Sequence, residues 1–306
     1  MLTNDIVLNR IGFGCGRLQG GTQKKSSLRL IHTALDVGIR HFDVAPSYGL
    51  GAAEKILGEA LSGCTLPLTI ATKVGIQRPQ ATLVLQALRT MLKPVARVIP
   101  SIRSVALKSL SSQIYSQNFT AEFIEKSFRE SLILLKRSNV DFLLLHEPTS
   151  NVDFQAVTKL LDSFVKDDLI KSYGSSTGAP LSELISFGNI SQYQCTLFGT
   201  DENSDAELVI THGVYRFLAP KIKNAVTSDA ALYKMLVDVG VLVDGKADAF
   251  GALALAYALA HSRGKVLVST NTSNRLVNDM TLLRQIVNTN NWMSSMSALN
   301  NKLLIS

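Results

Sequence analysis

Short runs of apolar and β-branched residues alternate with amphipathic stretches along the whole chain. The strand-like runs are 40–44, 68–73, 140–146, 170–174, 192–197, 215–218 and 265–268, and 11–14 opens the series as an eighth. Helical spacing fills the intervals. In 26–37, Leu28, Ile31, Ala34 and Leu35 fall on one face and Gly38 follows as a stop signal. Thr120 reads as the N-cap of a longer helix with Phe123, Ser127, Phe128, Leu132 and Leu135 on one side. Residues 52–61, 153–166, 229–239, 247–261 and 273–287 repeat the helical pattern. Strand and helix in alternation predict parallel strands joined by helical crossovers. Eight such units in 306 residues predict an α/β fold of the (β/α)8 TIM-barrel type. A doubly wound sheet would want a Gly-x-Gly-x-x-Gly turn early on; residues 12–16 read Gly-Phe-Gly-Cys-Gly, with no acidic ribose partner in register.

Two segments depart from the alternation. A long insertion, 74–118, follows the third strand. It holds a helix-like piece at 81–92, is broken by Pro94 and Pro100, and is expected to emerge at the C-terminal face of the barrel, where active sites sit. The tail after Val287 is polar, then amphipathic; it is either a last helix packed on the barrel or a frayed end. The expected organisation is one barrel domain over 1–306.

Composition narrows the function classes. With 46% hydrophobic and 18% charged residues the chain is not disordered. Three cysteines, Cys15, Cys64 and Cys195, without a Cys-x-x-Cys pair, argue against a disulfide scaffold or a zinc module and suit a reducing compartment. The first ten residues lack the apolar core of a signal peptide. The longest apolar run, 247–260, contains Asp248 and is too short to span a bilayer, so a soluble cytoplasmic protein without membrane partners is expected. The net charge of +7 is local: the insertion carries Arg78, Arg89, Lys93, Arg97, Arg103 and Lys108 and no acid, which leaves the rest at +1. No nucleic-acid signature accompanies it, so nucleic acid is not an expected partner. These cations overhang the expected site and suggest an anionic substrate, or a sugar with an anionic group; the plainer reading is that they are solvated or paired with acids elsewhere. Without heptads or an exposed apolar stripe, a monomer or weak homo-oligomer is expected.

The informative polar residues are those at strand ends, which converge on one mouth. The second strand gives Asp43, with Tyr48 just after it; the third gives Lys73; the fourth gives His146. Singly each has an ordinary explanation: a turn cap, a loop aromatic, a surface lysine, a core histidine. In order, at successive strand ends, they make an acid–base cluster. His32, His41, His212 and His261 read as structural, and no metal-ligand spacing appears among them.

At this point the sequence resembles a known family. Residues 42–49 (Phe-Asp-Val-Ala-Pro-Ser-Tyr-Gly), 71–75 (Ala-Thr-Lys-Val-Gly) and 144–148 (Leu-Leu-His-Glu-Pro) resemble the aldo-keto reductases. So do Gly12-Phe13-Gly14 on the first strand, Gly174-Ser175-Ser176-Thr177 on the fifth, Ser191-Gln192 on the sixth, and the segment 269–275. The resemblance implies an NAD(P)-dependent oxidoreductase on a barrel, reducing an aldehyde or ketone or oxidising a sugar or alcohol. It implies Tyr48 as proton donor, Lys73 lowering the phenol pKa, Asp43 holding Lys73, and His146 orienting the carbonyl. It places Ser176, Thr177 and Gln192 on the nicotinamide, and Gly14, Ser269, Thr270, Asn271 and Arg275 around the rest of the cofactor, NADP(H) slightly preferred over NAD(H). Three departures stand out: Thr177 replaces an Asn, Ser269 replaces a Lys, and Leu218 stands where a seventh-strand aromatic is usual. Two other functions fit the same residues. One is a nicotinamide-binding regulatory or partner protein; the other is an aldolase forming a Schiff base through Lys73.

Overall fold

A computed structural model describes residues 7–79, 116–197, 204–245 and 249–305. Eight parallel strands, β1 (Ile11–Gly14), β2 (His41–Asp43), β3 (Thr69–Val74), β4 (Val140–His146), β5 (Ile170–Ser176), β6 (Ile190–Gln194), β7 (Leu208–His212) and β8 (Lys265–Val268), follow one another around a closed barrel, β8 pairing with β1. Helices α1 (Lys24–Asp36), α2 (Ala53–Ala60), α3 (Ala121–Leu135), α4 (Phe154–Lys166), α5 (Ala219–Ser228), α6 (Ala230–Asp238), α7 (Ala249–His261), α8 (Ser273–Val287) and α9 (Trp292–Ile305) surround it.

The local signals act as expected. The Thr120 hydroxyl accepts from the Phe123 N–H at the start of α3, and Asp153 and Asp229 cap α4 and α6 in the same way. Gly38, at φ 91°, ends α1 in the left-handed region. Every residue of α7 from Ala249 to Leu259 is buried, so its Ala/Leu composition belongs to a core helix; no helix among the described residues is long and apolar enough to cross a membrane. The tail resolves as α9, with Trp292, Met296, Leu299 and Leu303 buried on its inner side.

One strand lies elsewhere than the sequence pattern suggests. The seventh strand is Leu208–His212, and residues 214–218 form a single π-helical turn leading into α5. The cause is local. Gly213, at φ 84°, breaks the strand, and its carbonyl then accepts from the N–H groups of both Arg216 and Phe217. Pro220 sits in the first turn of α5, where a missing N–H costs nothing. The aromatics Tyr215 and Phe217 give 215–218 its strand-like look, but tertiary context overrides that weak propensity. Likewise β6 begins at Ile190 and ends at Gln194, earlier than expected.

The ends of the insertion are tied together where it leaves the barrel. Ile76 and Gln117 form an antiparallel bridge, Gln77 N–H donates to Ser116 O (2.9 Å) and Asn118 N–H donates to Gly75 O (2.8 Å). Arg78 anchors this neck. Its guanidinium meets Glu54, a fully buried carboxylate, at 2.6 Å and Glu130 at 2.9 Å. The other five cations, and the helix-like piece at 81–92, lie outside the described residues.

Strand periodicity positions the site. Leu144, Ile190, Ile210 and Leu267 pack together as an apolar plug inside the barrel. Alternate residues of a strand face the same way. Two residues beyond each member of the plug, towards the C-terminal mouth, stand His146, Gln192, His212 and Ser269. The mouth is therefore polar because the plug is apolar, with the same phase on four strands.

Candidate active site

Asp43 ends β2 and Lys73 lies one residue before the end of β3; they are 2% and 1% exposed. Lys73 Nζ forms an ion pair with Asp43 Oδ2, and Gln192 Nε2 donates to the same oxygen at 3.0 Å. A buried pair of this kind holds only if both charges are well partnered, because removing two ions from water costs several kcal/mol each. Gln192 supplies part of that partnering.

Tyr48 opens a tight turn after β2. At Gly49 (φ 60°) an added Cβ would lie 2.4 Å from the Leu18 carbonyl, so the turn accepts only glycine there. The turn sets the half-buried Tyr48 ring with Lys73 Nζ 5.5 Å from its centroid, and the His146 ring edge-to-face against it at 5.8 Å and 87°. Burial, with the Asp43 charge next in effect, raises the phenol pKa well above its ordinary value. This departs from the expectation that Lys73 lowers it. The Lys73 charge is balanced by Asp43, and desolvation decides the direction. Both effects favour the neutral phenol at Tyr48.

His146 ends β4. Burial first, and then the Lys73 charge, lower its pKa to about 3, so the ring is neutral at working pH. Its Nδ1 is buried without a hydrogen-bond partner, as is Gln192 Oε1. Among the described residues neither atom finds a protein partner, so each keeps capacity for one more hydrogen bond. The His146 shift also fixes a sign for stability. The unfolded histidine titrates near 6.5 and the folded one near 3, so the unfolded state binds the proton as pH falls between them, and the stability present above about pH 6.5 is lost on acidification. We expect this one site to cost roughly 2 kcal/mol by about pH 5. Urea midpoints at about pH 7.5 and pH 5 check it: His146→Gln should show a smaller loss than the native chain, and an equal loss would refute the assignment.

His212 is the residue that sequence reasoning missed. Misplacing β7 removed it from the strand ends, although Leu-Val-Ile-Thr-His before a glycine was a readable strand signal. It pairs in register with Gln194, and its Nε2 stands 2.9 Å from the Thr177 carbonyl. A carbonyl only accepts, so that nitrogen carries the hydrogen. Burial lowers its pKa as well.

The expected cofactor residues separate into three groups. Gly14, Ser176, Gln192 and Ser269 belong to the mouth: Ser269 Oγ donates to the Gly14 carbonyl at 3.0 Å, and Ser176 and Gln192 are paired in register and buried. Thr270, Asn271 and Arg275 lie beyond β8. Thr270 is buried and accepts from Thr272 N–H (3.3 Å), while Asn271 is exposed. Arg275, in the first turn of α8, reaches Asp279 at 3.4 Å and stacks over the Tyr215 ring at 4.2 Å. The third group is engaged otherwise than expected. Leu218 is in the apolar core at 1% exposure, at the end of the π-helical turn, so it is no strand-end stand-in for a stacking ring. The Thr177 hydroxyl donates to Glu147 Oε2 at 2.8 Å and accepts from Ala179 N–H at 3.2 Å, which makes it part of the rim's own bracing.

Comparison with known proteins gives a consistent picture. A model of the aldo/keto reductase family matches residues 10–186. A 6-dehydroglucose reductase from Agrobacterium fabrum is 28% identical over 184 residues, covering 58% of this chain and 53% of that protein. An uncharacterised oxidoreductase, YqkF, from Bacillus subtilis is 23% identical over 190 residues, covering 61% and 52%. The chain thus matches about half the length of these curated relatives. An aldo-keto reductase from Bacillus halodurans in its holo form superposes with a TM-score of 0.64 at 18% identity, over 95% of this chain and 91% of that one.

Proposed function

The chain belongs to the aldo/keto reductase family, and from that premise we propose that it is a nicotinamide-dependent oxidoreductase that reduces an aldehyde or ketone with Tyr48 as proton donor. One observation carries the reading: a neutral phenol, a buried Lys–Asp pair and a neutral histidine from three successive strand regions meet at one mouth.

The residues present fit the cofactor. Gln192 Oε1, buried and without a partner, offers an acceptor to a carboxamide N–H, and Gly14 leaves the first strand end without a side chain. Ser176 and Ser269 would line the same pocket, and Arg275 would meet phosphate from the first turn of α8, where helix N–H groups add to the attraction. Asp279 offsets part of the Arg275 charge, so NADP(H) is favoured over NAD(H) only slightly. A dinucleotide held by these residues would supply hydride for the carbonyl carbon. The Tyr48 hydroxyl donates its proton to the carbonyl oxygen, and Lys73 stabilises the phenolate that this leaves until solvent returns the proton. His146 orients the carbonyl. Asp43 keeps Lys73 in place. The relative that reduces 6-dehydroglucose favours sugar-like carbonyl compounds as the class to try first.

The Schiff-base alternative fares worse. A nucleophilic lysine needs a free, accessible lone pair, whereas Lys73 is 1% exposed and ion-paired. The test is binding of NADPH and NADH by dinucleotide fluorescence, followed by single-turnover oxidation with a panel of aldehydes. Binding with turnover is expected. Binding without turnover would favour a regulatory protein, and borohydride trapping of substrate on Lys73 would favour an aldolase.

A further inference from the structure

We propose that Glu147 determines specificity at this mouth, discriminating against anionic carbonyl compounds and favouring neutral, hydroxyl-bearing ones. The proposal rests on the carbonyl-reducing reading above.

Glu147 directly follows His146. Its backbone is left-handed, with φ 55°, an uncommon conformation for a residue with a long side chain. The rim holds it there from several sides. Its N–H donates to the Ser176 carbonyl at 2.7 Å. Oε1 accepts from Gly178 N–H at 2.6 Å and Oε2 accepts from the Thr177 hydroxyl at 2.8 Å. The Thr177 carbonyl in turn takes the His212 N–H, so one residue fixes both the carboxylate and the imidazole. At Gly178 an added Cβ would lie 3.1 Å from Oε1, so this approach suits a residue without a side chain.

All of these donors are uncharged. Among the described residues no lysine, arginine or histidine stands within ion-pair distance of this carboxylate. The charges of Asp43 and Lys73 cancel, and His146 and His212 are neutral. Glu147 therefore leaves the described mouth with one net negative charge. That charge is felt at Tyr48 and His212, since it adds to the rise of the Tyr48 pKa and opposes the fall of the His212 pKa. An anion approaching Tyr48 meets repulsion in a half-buried, poorly screened place. A hydroxyl meets lone pairs, because each carboxylate oxygen has capacity beyond the single donor it now accepts. The one basic side chain of the insertion that the structure describes, Arg78, is already held between Glu54 and Glu130 and does not reverse this balance.

A purely structural strut would affect all substrates alike, whereas a charge filter sorts them by charge. The experiment compares matched pairs with dinucleotide saturating: butanal with succinic semialdehyde, and D-xylose with D-glucuronate. In the native chain kcat/KM should favour the neutral member at least about tenfold, and in Glu147→Gln the ratio should narrow about five- to tenfold, mainly through KM of the anion. A second measurement needs no variant. Raising ionic strength from roughly 20 to 200 mM shortens the Debye length from about 20 to about 7 Å, so kcat/KM for the anionic substrate should rise while that for its neutral partner stays flat. A native preference for the anion, a falling salt dependence, or an unchanged ratio in a folded Glu147→Gln protein overturns the proposal and leaves the reductase reading standing. If neither pair is turned over although dinucleotide binds, the reductase reading fails and this one with it.

Discussion

Replacing Tyr48 with Phe is expected to lower kcat/KM for aldehyde reduction by about 10²- to 10⁴-fold, the usual contribution of a positioned general acid. The ring remains, so its edge-to-face contact with His146 and its place above Lys73 are kept; only the proton is lost. Dinucleotide affinity should change little, because no expected cofactor contact passes through the Tyr48 oxygen. The environment of the hydroxyl adds a second, independent expectation. Burial and Asp43 push the phenol above its ordinary value of 10.0, so the acid form persists across the accessible range. The pH profile of kcat/KM for reduction should therefore show no Tyr48-linked fall below about pH 10. Steady-state rates and dinucleotide titrations of both proteins decide the matter. A Tyr48→Phe variant within about tenfold of the native rate would rule Tyr48 out as the acid.

Breaking the Lys73–Asp43 pair should have the largest effect on stability of any single change at the mouth. Asp43→Ala leaves an ammonium, 1% exposed, without its counter-charge, and also removes the acceptor of Gln192 Nε2. A loss of about 3–5 kcal/mol is expected, together with loss of turnover. The double variant Asp43→Ala/Lys73→Met should regain most of that stability, because an apolar chain of similar length needs no partner, and should stay inactive. Urea denaturation of the two single variants and the double variant measures the coupling directly. Additive losses would mean that the two side chains do not depend on each other as the geometry says.

Much of this site was legible in the sequence, for a physical reason. Asp43, Lys73 and His146 lie at or near the ends of strands whose apolar runs are unambiguous, and a parallel barrel brings all such ends to one mouth. Helices α3 and α4 were equally plain, since their N-caps, Thr120 and Asp153, precede clean amphipathic repeats. The misses have physical causes too. Residues 215–218 look like a strand because they carry Tyr and Phe, yet Gly213 and Pro220 on either side make them a helical turn. A strand placed at 215–218 puts Leu218 at the mouth, whereas the strand at Leu208–His212 puts His212 there. Thr177 shows a different limit. Its position beside the mouth follows from β5, but the Glu147 carboxylate that captures its hydroxyl depends on a left-handed backbone at Glu147 that no local pattern announces. For Tyr48, the proximity of the Lys73 charge can be read from spacing and points to a lowered pKa, whereas the desolvation that raises it belongs to the packed interior.

The antiparallel bridge at the neck of the insertion has a consequence for the barrel. Because Gly75–Gln77 and Ser116–Asn118 close on each other, and Arg78 is clamped to two helices, the barrel is already complete at that bridge. Whatever lies between those residues can lengthen, shorten or be exchanged at an entropic cost that grows only logarithmically with loop length. The scaffold is thus arranged as a socket: its two fixed ends, one residue beyond β3 and just before α3, stay in place whatever length of chain they join, and the core need not be renegotiated.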